Sequence, residues 1–101
     1  MKLQTSLIAV KRIESDQPID SFPKEKIEIG AFLIQTAEGT INPLIVERNG
    51  VNTYKVIDGH FVYHCAVRAR EIDPIKGEYI QAIIMDEENE DSLKLQIRHF
   101  R

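Results

Sequence analysis

The chain has 101 residues, 43% apolar and 29% charged, with 13 basic against 16 acidic side chains and a formal net charge of −3. That balance fits one globular domain rather than a disordered tail, with a folded surface of roughly 5,800 Å² against about 17,000 Å² unfolded. The single cysteine, Cys65, excludes an internal disulfide, and the mild acidity argues against a clamp that holds nucleic acid by phosphate neutralisation alone.

No run approaches the ~20 apolar residues needed to cross a bilayer. The four-residue apolar stretch Leu7-Ile8-Ala9-Val10 is too short for a secretory signal. A cytoplasmic protein without membrane attachment is therefore expected. No internal repeat is visible.

In chain order, residues 6–13 (SLIAVKRI) are short, apolar and partly β-branched, and predict a first strand. The turn residues 16–21 lead into a helix from about Pro23 to Ala37, with Ser21 or Phe22 as N-cap and a stop near Gly39. Ile27, Gly30, Ala31, Ile34 and Ala37 form its core stripe at i, i+3, i+4, i+7 spacing. Ile29, Phe32 and Leu33 lie broadly opposite. They predict a second buried side, covered either by a loop of the domain or by a partner, including a second copy in a homodimer.

The next segment reads as a β-hairpin, with strands 44–48 and 51–57 joined by Asn49-Gly50, the pair that suits a type I′ turn. After Asp58-Gly59 a helix runs to about Ile72, burying Phe61, Val62, Cys65, Ala66, Ala69 and Ile72. Pro74 stops it. Residues 79–85 form the last strand, and the acidic run Asp86 to Asp91 opens a final helix, 92–100, where carboxylates suit the positive end of the dipole. The order β-α-β-β-α-β-α gives an α+β class, a small mixed sheet with packed helices.

Chemistry concentrates at the strand-to-helix junction. Asp58 is a ready N-cap, Gly59 allows close approach to the backbone, and the free N–H groups of the helix start can hold an anion. His60, His64 and Arg68 follow in a row; the alternative is a capped helix with histidines at its solvent edge. His60 and His64 have the i, i+4 spacing of a zinc pair but lack the glutamate that would follow the first histidine, so no metal site is assigned. Cys65 is a small core residue, about 100° round the helix from His64. No Ser/His/Asp set or glycine-rich phosphate loop is evident.

Three segments together resemble a known family. Gly39-Thr40-Ile41-Asn42-Pro43-Leu44-Ile45-Val46 is similar to the entry to the second strand of the ParB/sulfiredoxin-like fold, the domain also called ParB-like nuclease. Tyr54 to His60 looks like the strand feeding that family's phosphate-binding helix, and Tyr79 to Met85 with the acidic turn and helix resembles its last βα unit. Where partition proteins of the family read Gly-Glu-Arg-Arg-x-Arg, this chain keeps Gly59, has His60 for the glutamate, and has Phe61, Val62 and His64 for the arginines. Sulfiredoxins carry Gly-Cys-His-Arg; the cysteine position here is His60, so sulfiredoxin chemistry is not expected.

The resemblance implies a single ParB-like domain over 1–101, standing alone or at the N-terminus of something longer. It implies a nucleotide- or phosphate-binding or regulatory module in DNA partition, maintenance or transcription. Asn42, Asp58, Gly59, His60, His64 and Arg68 would line the site, a nucleotide with magnesium would be the ligand, and DNA would be reached through a partner or attached domain. Two other classes compete with this reading. One is a nucleotide hydrolase, phosphotransferase or nuclease using His60 or His64 as acid or base. The other is a structural dimerisation domain using Ile29, Phe32 and Leu33.

Overall fold

The first apolar run divides instead of forming the single strand expected over 6–13. In the computed structural model, which describes residues 2–101, β1 (Ser6–Ala9) ends in a 3₁₀ turn at Val10–Arg12 and β2 (Ile13–Glu14) follows. The cause lies in the spacing of the inward residues. Ile8, Val10 and Ile13 are all buried, and the change of spacing from two to three cannot be met by one continuous pleat.

The turn sends its two strands to opposite edges of a five-stranded sheet. β1 pairs antiparallel with β5 (Tyr79–Ile84), and β2 pairs parallel with β4 (Thr53–Asp58). With β3 (Leu44–Gly50) between β5 and β4, the order is β1-β5-β3-β4-β2. Four strand spacings in a flat sheet would separate the edges by about 19 Å, whereas a single 3₁₀ turn advances only about 6–8 Å. The sheet is therefore strongly curled, like an incomplete barrel.

The hairpin forms, but not on its expected turn. The loop is Val51-Asn52, with Asn52 at φ 61°, while Asn49 and Gly50 stay in the strand and the ladder is irregular around Asn49. A type I′ turn at Asn49-Gly50 would set Val46 against Thr53. The observed register sets buried Val46 against buried Val56. Burying an apolar cross-strand pair outweighs the local turn preference.

Alternation along the strands produces two cores. Leu44, Val46, Val56, Ile80 and Ala82 face α1 (Lys24–Ala37) and α2 (His60–Ile72), while Ile45, Ile57 and Ile83 face Leu93 and Ile97 of α3 (Glu90–Phe100). In α1, Ile27, Ala31 and Ile34 are buried as expected, but Ala37 is exposed in the last turn. In α2, Cys65, Ala66 and Ala69 are buried, Phe61 and Val62 are half-buried, and Ile72 is exposed at the helix end.

The helix ends depart from expectation in small ways. Pro23 caps α1 from outside the helix; at the other end Glu38 takes the left-handed conformation (φ 53°), and Gly39 N–H donates to Ile34 O. α3 begins two residues early because Asn89 is buried: its Oδ1 accepts from Asp86 N–H and its Nδ2 donates to Ile84 O. Asp86 in turn accepts from Glu88 and Asn89 N–H, so part of the acidic run is structural. Among the described residues no helix is long and apolar enough to cross a membrane.

Candidate functional site

The junction between β4 and α2 is built on backbone, not on a side-chain cap. Gly59 precedes the helix at φ 96°, a conformation that glycine adopts without strain. A Cβ there would stand 3.2 Å from Leu44 Cδ2. The first helical hydrogen bond runs from Tyr63 N–H to Gly59 O, leaving the N–H groups of His60, Phe61 and Val62 at the open end of α2. Asp58, expected as the N-cap, makes no cap bond. Its Oδ2 lies 3.1 Å from Arg101 Nε.

Arg101 is a site residue that the sequence did not disclose. Its Nη2 donates to Asn42 Oδ1 and to Pro43 O, so one guanidinium joins the end of α3, the entry to β3 and the end of β4. Asn42, Asp58, Gly59 and His60 come together with Gln17 and Arg101 around an open recess of about 340 Å³. The Asp58 charge is met by Arg101, so the open amide groups face a locally neutral surround.

The histidine row does not hold together. His60 sits at the recess with Nδ1 2.6 Å from Ser15 Oγ. His64, expected one turn on along the same face, is only 9% exposed and points inward. Its Nε2 donates to Gln17 O at 2.7 Å, since a carbonyl can only accept. Tyr63 donates to Ile13 O at 2.9 Å, and burial raises its phenol pKa. Residues 60, 63 and 64 therefore all tie α2 to segment 13–17, which folds over its first turns.

Arg68 stands apart. Its Nε lies 2.6 Å from Glu28 Oε1, and Glu71 approaches from the next turn at 3.8 Å. The hydrogen bond and charge of Glu28 hold the guanidinium more basic than usual. It lines a different recess, beside Ile19 and Phe22. Among the described residues no group of three His, Cys, Asp or Glu side chains could hold a metal ion. Cys65 is buried, and desolvation pushes its thiol up to about 11.

The second apolar side of α1 is open. Ile29, Phe32 and Leu33 are 61%, 62% and 60% exposed, so no loop among the described residues covers them. Leu33 also borders an apolar groove of about 400 Å³ between α1 and α2, with Ile41 and Val62 on its walls and Cys65 at its base.

The curled mixed sheet, the α1–α2 layer and the glycine-led helix start define the ParB-like α+β fold. No family model and no curated protein sequence matches the chain. Solved structures do. The C-terminally truncated chromosome-partitioning protein ParB from Caulobacter crescentus, complexed with CTP-gamma-S, superposes with a TM-score of 0.57 at 16% identity, over 97% of this chain and 54% of that one. The same protein complexed to the centromeric parS site gives 0.59 at 21% identity, over 92% and 45%. C-terminally truncated SbnI from Staphylococcus aureus gives 0.59 at 18% identity, over 82% and 31%. The chain thus spans about half of the ParB chains and a third of the SbnI chain.

Proposed function

We propose that this chain is a ParB-like module that holds a phosphate-bearing ligand, a nucleotide with its magnesium, at the start of α2. One observation carries the reading: the open N–H groups of His60, Phe61 and Val62 face a recess shared with Asn42, His60 and Arg101. The fold is shared with a ParB chain complexed with CTP-gamma-S, which supports the same ligand class. Magnesium would enter on the phosphates, since the recess offers the lone carboxylate of Asp58. His64 and Arg68 would act from behind, fixing α2 against segment 13–17 and α1.

The residues at the helix start bear on the strength of that binding. Phe61 and Val62 stand where the resemblance would place arginines, and each lost charge-assisted hydrogen bond is worth about 1.5–3 kcal/mol. Two such losses weaken binding by about 10²–10⁴-fold relative to an arginine-lined site. A net charge of −3 gives the chain little grip on DNA, so in DNA partition, maintenance or transcription it would act through a partner or attached domain.

Thermal unfolding with a panel of nucleoside triphosphates, with and without magnesium, tests the reading. Ligand at ten times its Kd adds about 1.4 kcal/mol of stability, a rise of several degrees for a domain of this size. No rise with any nucleotide at 10 mM would refute it. The open Ile29, Phe32 and Leu33 face favours a second reading beside the first, in which a second copy of the chain covers α1.

A further inference from the structure

Among the hydroxyl, thiol and imidazole groups whose surroundings the structure gives, one pair stands out. The Thr36 hydroxyl donates to Phe32 O in its own helix, and the Thr40 hydroxyl accepts from Asn42 N–H two residues away. Cys65 is buried with its thiol pushed up to about 11. His64 is buried on Gln17 O, and His99 packs edge-on against Phe100. Ser15 and His60, 45 residues apart in sequence, meet at 2.6 Å.

We infer that Ser15 and His60 form a nucleophile–base dyad, with Ser15 Oγ the acceptor of a phosphoryl group. The claim rests on the phosphate-site reading for its donor, but not for the reactivity of the hydroxyl. Gln17 N–H donates to Ser15 Oγ at 3.1 Å, which occupies one lone pair. The hydroxyl proton then has two acceptors, Gln17 O at 3.4 Å and His60 Nδ1 at 2.6 Å. The shorter contact is the one to the ring; with the hydroxyl donating along it, the imidazole proton sits on Nε2 and Nδ1 is the base.

The residue that supplies the base also opens α2, so the base belongs to the same helix start as the open N–H groups of His60, Phe61 and Val62. They are the donors that would neutralise the phosphoryl oxygens as charge shifts during transfer. Arg101 holds the Asp58 carboxylate, which lowers its repulsion of an incoming anion. In the step itself, an Oγ lone pair of Ser15 forms a bond to the terminal phosphorus of a nucleoside triphosphate. The bond from that phosphorus to its bridging oxygen breaks, the nucleoside diphosphate leaves with the electron pair, and the hydroxyl proton passes to His60 Nδ1. The products are phosphoserine, nucleoside diphosphate and a protonated imidazole.

Two reactions on the intact chain test the dyad. A fluorophosphonate probe, which needs no nucleotide site, should label Ser15 in the wild type, fail on Ser15→Ala, and react at least 100-fold more slowly with His60→Gln, in line with the usual contribution of a general base. With γ-labelled nucleoside triphosphate and magnesium, about one phosphoryl group per chain should appear on Ser15, and be lost in Ser15→Ala. Matching melting temperatures establish that the variants are folded. No probe labelling of the wild type, or labelling that is unchanged in His60→Gln, overturns the dyad. Thermal stabilisation by nucleotide without transfer to Ser15 overturns the phosphoryl acceptor and leaves the nucleotide reading standing. Probe labelling of Ser15 with neither stabilisation nor transfer overturns both and leaves only a reactive serine.

Discussion

Gly30 sits in the middle of α1, where helix propensity and packing predict opposite signs for the substitution Gly30→Ala. Propensity alone favours alanine by about 0.5–1 kcal/mol, because glycine loses more backbone freedom on folding. The packing opposes it. A Cβ at Gly30 would fall well inside van der Waals contact with Cys65 Sγ and 3.1 Å from Cys65 Cβ, and Cys65 is 1% exposed. Carbon contacts settle near 3.5–4.0 Å, so α1 and α2 must part or Cys65 must leave its rotamer. Overpacking of that kind costs about 1–3 kcal/mol, which leaves Gly30→Ala destabilising by about 1 kcal/mol, or about 4–8 °C in melting temperature. In a Cys65→Ala background the sulfur is gone and the same substitution should become neutral or stabilising. Urea unfolding of the four proteins in that cycle gives a coupling of about 1–2 kcal/mol between the two positions. A Gly30→Ala protein more stable than wild type, or an equal effect in both backgrounds, would show that the α1–α2 contact is looser than its geometry indicates.

Three further outcomes follow from the structure. Glu38 holds a left-handed conformation at the end of α1, so Glu38→Gly should raise stability by about 1 kcal/mol in urea unfolding; a loss would contradict the cap. Burial raises the Cys65 thiol from 9.0 to about 11. Below pH 9 both folded and unfolded chains keep the proton, and between pH 9 and 11 only the unfolded thiol ionises, so stability should fall across that window. Cys65→Ala should flatten this part of the profile, and an unchanged slope would remove the thiol as its cause. Finally, sedimentation should show wild-type dimers at micromolar-to-millimolar concentration that Phe32→Glu returns to monomer; a wild-type monomer across that range rules out the α1 face as a self-interface.

What the sequence made legible was set by local signals. The 3.6-residue stripe Ile27, Ala31, Ile34, the apolar run of β5 and the Asp58-Gly59 break fixed the elements and the fold class, and the structural relatives agree with both. Distant contacts decide the rest. Asn49-Gly50 is a stronger turn pair than Val51-Asn52, yet the pairing of Val46 with Val56 sets the register. His64 looked solvent-facing because nothing near it in sequence reveals that Gln17 O lies above it. Ser15 and Arg101 carried no signal at all, since their partners lie 45 and 59 residues away. The spacing of Ile8, Val10 and Ile13 is a local cue in its own right, and it explains why the first strand breaks.

If the start of α2 binds phosphate through its open N–H groups, the substitution His60→Asp separates that binding from stability. A carboxylate in the first turn suits the helix dipole by about 0.3–1 kcal/mol, which offsets the lost Ser15 bond, while placing a negative charge where the phosphate would sit. Calorimetric titration of wild type and His60→Asp with nucleoside triphosphate and magnesium should show binding that the variant loses although it remains folded. No heat of binding with wild type at millimolar nucleotide, or equal binding by both proteins, would contradict phosphate binding at the start of α2.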